Sequence, residues 1–270
     1  MNKAIPILMY HQVTPNVHPE FIACSITPRT FNIHMNILKL LRFTPINLTQ
    51  LEDCRNGKSI LPKKPILITF DDCYQECIDH AVPILEENGF TAVFFVPTEC
   101  VGSKSHWLMP ELGFEFPIID WATVKYLDTN GFQVGSHSMT HPDLTNVTSE
   151  DCYKELAESR KVLEEHLGHE VVHLAYPYGL FNDAVKSIAA KVGYKTVCSV
   201  IERFARHDDD PLALPRINVL DSYNIVDFVL ILHYEGKYKT TLRWWQYVHS
   251  KMRGVGRLIK KIRAKYTKNN

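Results

Sequence analysis

The chain has 270 residues, 45% hydrophobic and 22% charged, a composition that suits a soluble globular protein and a length that suits one α/β domain or two small ones. Thirty Lys and Arg balance thirty Asp and Glu, but eleven of the bases and none of the acids fall in residues 236–270, so an acidic body precedes a basic tail. No run approaches the ~18 consecutive apolar residues of a membrane span, and the opening MNKAIPILMYHQV is not a secretory signal, being broken by Pro6 and lacking a small-residue cleavage site.

Seven cysteines, an odd number without a paired framework, fit a reducing compartment, and the expectation is a cytoplasmic protein. Short apolar, β-rich runs at 5–11, 66–72, 90–97, 132–138, 171–177, 194–200 and 214–219 are predicted strands. Helical patterns fill 75–88, 121–130, 150–167 and 183–192. Asp120 is expected to start the second of these and Ser149 the third, the latter without a full capping box. Gly89, Gly131, Gly168 and Gly193 each close a helical pattern just before the next strand. Alternating strands and helices predict parallel strands with helices packed outside them. The reading is a barrel-like α/β fold over residues 1–235 with a basic helical extension at 236–270; an open doubly wound sheet is the alternative. In both architectures chemistry belongs at the C-terminal ends of the strands.

Ionisable residues collect at those ends. The first strand ends in His11, ILITF in Asp71 and Asp72, FQVGS in His137 and then His141, and VVHLAYP in Tyr178 and Gly179, while Arg216 sits within LPRINV. Two adjacent aspartates after an apolar strand are costly to bury without a cation, although a turn or a helix cap would also account for them. Two pairs of histidines four residues apart compete as metal ligands: HSMTH (137–141) and HEVVH (169–173). On a helical turn such a pair converges; along a strand it is about 13 Å apart, at roughly 3.3 Å per residue. HEVVH matches a zinc-protease signature, but it follows Gly168 and runs into VVHLAYP, with Pro177 four residues past His173. His173 is therefore expected in the sheet and His169 on the surface. HSMTH follows a strand and is ended by Pro142, so it can curl into one turn. Two histidines with one carboxylate make a three-ligand site with an open position, the arrangement of catalytic zinc.

The series TFDDC (69–73), HSMTH (137–141) and AYPYG (175–179) resembles the NodB-type polysaccharide deacetylases, carbohydrate esterase family four. ILMYH and LPRIN look like the circularly permuted subgroup that includes poly-N-acetylglucosamine deacetylases. The resemblance spans about residues 5–219 and implies a distorted (β/α)7 barrel that removes N-acetyl groups from amino sugars with a divalent metal. It implies Asp71 as general base, Asp72, His137 and His141 as metal ligands, and the Tyr178 backbone N–H as an oxyanion donor. In the permuted subgroup the general acid is the first-strand histidine, here His11; His233 in LILH imitates the motif of unpermuted members. Zinc suits the donor set best, and cobalt, nickel or iron also suit it. Two positions depart from the family pattern. Cys73 replaces a glycine, so either the backbone there needs no positive φ or a thiol lies near the metal. Ala175 replaces an arginine that pairs with the catalytic aspartate, and Arg216 is the candidate substitute.

From Val255 onward, Leu258, Ile259 and Ile262 form an apolar stripe among lysines and arginines. The segment 251–268 could lie on an anionic membrane surface or form a solvated helix. The first option would put the protein on the inner membrane face, beside a lipid-linked sugar. Nucleic acid is not expected, because no recognition motif accompanies the basic residues. The expected substrate is an N-acetylated amino sugar; deformylation of a lipid-linked sugar and a catalytically silent sugar-binding barrel are the competing readings.

Overall fold

The computed structural model describes residues 4–221, 223 and 225–233. Seven strands make the continuous path of one parallel sheet: β1 (Ile7–Tyr10), β2 (Pro65–Phe70), β3 (Val93–Val96), β4 (Gln133–Ser136), β5 (His173–Ala175), β6 (Thr196–Cys198) and β7 (Ile217–Asn218); the two-residue strand Thr44–Pro45 also pairs in parallel with the start of β2. Their spatial order is β7-β1-β2-β3-β4-β5-β6. The open side closes through Leu214, just ahead of β7, which pairs in parallel with Cys198 at the end of β6. The Leu214 N–H donates to the Val197 carbonyl at 2.8 Å, and the Ser199 N–H donates to the Leu214 carbonyl at 2.8 Å. The fold is the distorted (β/α)7 barrel, and all seven predicted strands lie in it.

Strands such as ILMY, PILITF and VFFV are buried throughout and almost wholly apolar because both of their faces are covered. Their alternation sorts the side chains. Ile7, Leu67, Val93, Phe95, Ala175 and Cys198 pack together in the barrel interior. Leu174 and Val197, on the opposite face, pack under the outer helices with Leu156, Val185 and Ala189. The same period of two carries Leu67 and Thr69 on to Asp71, and Gly135 on to His137, so both site residues arrive at the interior end of their strands. Gly135 is required by packing: a Cβ there would lie 2.7 Å from Phe95 Cδ1 and 3.1 Å from the His173 carbonyl oxygen.

The four predicted helices are α3 (Gln75–Asn88), α4 (Trp121–Thr129), α5 (Ser149–Leu167) and α6 (Asp183–Val192); two more, α1 (Pro28–Leu40) and α2 (Leu48–Arg55), precede them. The last described helix is α7 (Ile225–His233). Asp120 caps α4 as predicted. On α5 the cap is Thr148, whose hydroxyl accepts from the Asp151 N–H, and Ser149 is already the first helical residue. Gly89, Gly168 and Gly193 end their helices in left-handed conformation. The basic extension, including 251–268, lies outside the described residues. Among the described residues no helix is long and apolar enough to cross a membrane.

Candidate active site

Strand ends and the loops after them form one cavity of about 350 Å³, lined by His11, Asp71, Asp72, Tyr74, Trp107, His137, His141 and Tyr178 together with apolar residues that include Phe21, Leu108 and Val200. Six of the seven site residues expected from the sequence line it, and the seventh, Arg216, reaches its floor from below. HEVVH is elsewhere. His169 is exposed, with Nε2 3.0 Å from Asp128, and His173 is buried on β5 with Nε2 3.1 Å from the Thr49 hydroxyl. His233 ends α7, with Nδ1 2.9 Å from the Val229 carbonyl, and does not line the cavity.

Asp72, His137 and His141 are all at least 95% buried, and each offers a ligand atom within 4.8 Å of the other two. His137 Nε2 lies 3.4 Å and His141 Nε2 3.3 Å from Asp72 Oδ1. Neither contact has hydrogen-bond geometry, so Asp72 Oδ1 is a buried oxygen with no hydrogen-bond partner. Donors 2.0–2.1 Å from a tetrahedral zinc stand about 3.3–3.4 Å from one another, so the three residues fit a metal. His137 supports this with its other nitrogen. Its Nδ1 lies 2.8 Å from the Ala175 carbonyl, which can only accept; Nδ1 therefore carries the proton and Nε2 keeps its lone pair. Burial pushes the Asp72 carboxyl up, but the two histidines outweigh burial and hold it well below the usual range. Burial opposes charge on both rings. Asp72 and Asp71 overcome it at His137, whose pKa is raised, whereas at His141 burial prevails and the pKa is lowered.

Asp71 is held differently. Arg216, fully buried, donates from Nη1 to Oδ1 and from Nη2 to Oδ2, both at 2.7 Å. Two of its three remaining N–H groups donate to the Ser199 carbonyl at 2.9 Å and the Thr69 hydroxyl at 3.1 Å, and its guanidinium lies over the Phe95 ring at 5.7 Å. A bidentate fork of this kind both orients and ionises a carboxylate. Burial raises the Asp71 pKa, and Arg216, with help from His137 and His11, brings it below the ordinary value. His11 Nε2 stands 4.0 Å from Asp71 Oδ2.

The loops that present these groups are strained. Among the described residues six non-glycine positions have positive φ, and five of them are Asp72, Cys73, Ser138, His141 and Tyr178. Cys73, at φ 53°, therefore does adopt the glycine-favouring conformation. Its thiol turns away to donate to the Phe95 carbonyl at 3.2 Å and is not among the clustered ligand atoms. Sequence reasoning missed Trp107, whose ring stacks on His141 at 4.3 Å between centroids, and Tyr74, whose buried hydroxyl lines the cavity. It also missed Glu155, which fastens the HSMTH loop. An aromatic residue in a loop carries no sequence signal of its role, but a glutamate on the inner face of an amphipathic helix does.

A family model for polysaccharide deacetylase matches residues 58–197, and the chain belongs to that family. The Bacillus subtilis protein YxkH is 24% identical over 215 residues, covering 80% of this chain and 71% of its own. A Staphylococcus aureus poly-β-1,6-N-acetyl-D-glucosamine N-deacetylase is 26% identical over 173 residues, 61% of this chain; the alignment spans 57% of the staphylococcal protein. In fold, the Streptococcus pyogenes deacetylase PplD, solved in complex with acetate, superposes with a TM-score of 0.75 at 24% identity, covering 86% of this chain and all of that one.

Proposed function

From membership of this family we propose that the chain hydrolyses the N-acetyl group of an amino sugar, in a surface glycan or its lipid-linked precursor, and releases acetate. One observation carries the reading: a carboxylate clamped by a buried arginine, a histidine facing it and a His2Asp triangle share one cavity. Asp72, His137 and His141 would hold a divalent metal, most suitably zinc, which when bound polarises an amide carbonyl and makes water more acidic. Asp71, kept ionised by Arg216, accepts a proton from the attacking water. The water oxygen then bonds to the acyl carbon, and the tetrahedral oxyanion is assigned to the Tyr178 backbone N–H. As the C–N bond breaks, His11 donates a proton to the departing nitrogen, leaving acetate and a free amino sugar. Arg216 takes over the aspartate-pairing role for which Ala175 has no side chain, consistent with a permuted motif order.

The test assays acetate and formate released by the purified full-length protein, loaded with zinc or cobalt, from N-acetylated and N-formylated amino sugars. Acetate release that disappears in Asp71→Asn supports the reading. Formate alone would make the protein a deformylase. Bound metal with neither acid released from any sugar would favour the silent sugar-binding barrel. A cytoplasmic location, with the 251–268 segment on the inner membrane face, is a further part of the proposal, supported by eleven bases without an acid in 236–270. Equal sedimentation of the full chain and a 1–250 truncation with anionic vesicles would remove the membrane contact.

A further inference from the structure

The loop that carries both histidines is fastened from behind by one helix face. Glu155, on α5, is 8% exposed. Its Oε2 accepts from the Met139 and Thr140 N–H groups, both at 2.9 Å, and its Oε1 accepts from the Thr140 hydroxyl at 2.6 Å. Four residues on, and so on the same face, fully buried Ser159 donates to the Ser138 carbonyl at 2.9 Å and meets the Ser136 hydroxyl at 2.8 Å. Because Ser159 spends its proton on Ser138, Ser136 is the donor in the second contact. The Ser136 oxygen in turn lies 3.2 Å from the Ser138 N–H, and the Ser138 hydroxyl accepts from the His141 N–H at 3.1 Å. Every residue from 136 to 141 except His137 is thus tied to α5 or to a hydroxyl that α5 positions.

The connection matters because this turn does not hold itself. Ser138 has φ 62° and His141 φ 63°, and left-handed non-glycine residues persist only where their surroundings over-determine them. His137 is set by its N–H bond to the Val96 carbonyl of the neighbouring strand and by Ala175. His141 lies five residues beyond the end of the strand at Ser136, and its ring position depends on the path of 138–140. An ionised acceptor that takes two adjacent N–H groups and a hydroxyl is a strong fastening for such a path.

We infer that Glu155, with Ser159, is a positioning residue that presets His141 against His137 and Asp72, so that α5 fixes metal affinity through the backbone without touching the ion. The inference rests on the metal-site reading given above. Cobalt alone is the probe, added to metal-stripped full-length protein, with affinity and the visible ligand-field spectrum as readouts. Removing a supporting group of this kind is expected to weaken binding by about 10–100-fold, so Glu155→Leu should bind at least about tenfold more weakly and give an altered spectrum. Glu155→Gln keeps an oxygen for both N–H groups and should stay close to wild type. Leu156→Ala, a fully buried neighbour on the same helix that points away into the outer core, controls for loss of stability. It should lower the unfolding midpoint while binding cobalt like wild type. Thr140→Val removes one clamp bond from an exposed residue; it should shift affinity the same way by less, and it decides the matter if Glu155→Leu fails to fold. Wild-type affinity in Thr140→Val and Glu155→Leu overturns the inference, as does an equal loss in Leu156→Ala. Failure of the wild type to bind cobalt overturns the metal-site reading and this inference with it.

Discussion

Arg216→Met separates the electrostatic role of Arg216 from its bulk. Methionine replaces much of the arginine stem but leaves Asp71, 3% exposed, without its two 2.7 Å hydrogen bonds. The Ser199 carbonyl and the Thr69 hydroxyl lose a donor as well. Breaking a buried pair by removing one partner costs about 3–5 kcal/mol, because the abandoned charge stays buried. The sign with pH follows from the protonation of Asp71. In the wild type its pKa is below the ordinary value, so its contribution is present above that ordinary value and is lost as pH falls through the folded one. In the variant, burial is opposed only by His137 and His11, so the folded pKa rises above its wild-type position, the folded state takes up the extra proton more readily, and the penalty shrinks in acid. Urea unfolding of both proteins should show a deficit of about 3–5 kcal/mol near neutral pH and a clearly smaller one at about pH 4.5. Histidines distant from Asp71 titrate alike in both proteins and cancel in the difference. Asp71→Asn in the same background should recover part of the loss, since it removes the stranded charge. A deficit below about 1 kcal/mol, or one that does not change with pH, would refute the argument that the pair is needed to keep Asp71 charged.

Three further outcomes are expected. His137→Ala should lose bound zinc while His173→Ala keeps it, as measured by metal analysis of the purified proteins; the reverse result would move the site to HEVVH. Gly135→Ala forces a methyl group against Phe95 and the His173 carbonyl, and overpacking of this kind should cost about 1–3 kcal/mol in urea unfolding; an unchanged midpoint would mean that the barrel interior yields freely. His173 is pushed down by burial to about 4 from 6.5, so the unfolded chain binds its proton first. Stability from this residue is full above about pH 6.5 and falls by on the order of 3 kcal/mol as pH drops to the folded value. His173→Gln, which can keep the Thr49 contact, should flatten the stability curve over that window, and a slope equal to wild type would refute it. His34, lowered to about 3 by burial, leaves a residual slope in either protein.

The barrel was legible because its strands obey simple rules. Most are apolar runs followed by a helix, and Gly89, Gly168 and Gly193 end three of those helices in left-handed conformation before the next strand. Helices α1 and α2 escaped that reading although their caps are ordinary: Thr27 ahead of Pro28, and Asn47 with Gln50 as a capping box. They precede the regular alternation, and α2 is short and lies between two barrel strands without a strong apolar stripe. The ligand set was legible from strand ends. The partner of Asp71 was legible only in part, since Arg216 is 145 residues away in sequence and only barrel closure brings it beneath Asp71. Glu155 was not read at all, because a helix glutamate is usually solvent-facing and only the inward side of α5 shows otherwise.

HSMTH and HEVVH share a spacing and differ in what the chain does between the histidines. In HEVVH the path from a surface turn into β5 separates them, and each ring finds an ordinary partner, Asp128 or Thr49. In HSMTH the chain reverses through left-handed Ser138 and arrives at left-handed His141. Neither residue type prefers that conformation, each instance of which costs on the order of 1–3 kcal/mol, so a local propensity argument would not place the rings together. The tertiary structure supplies what propensity lacks: α5 through Glu155 and Ser159, and the Thr98 and Glu99 N–H groups, which donate to the Ser138 and Met139 carbonyls at 3.2 and 3.0 Å. Asp72, Cys73 and Tyr178 show the same pattern around the rest of the cavity. The stability of the barrel is thereby spent on holding five unfavourable backbone conformations, and it is these that converge the reactive groups. A variant that relaxes one of them should therefore become more stable as a chain and poorer as a metal site, opposite signs that a general loss of folding cannot produce.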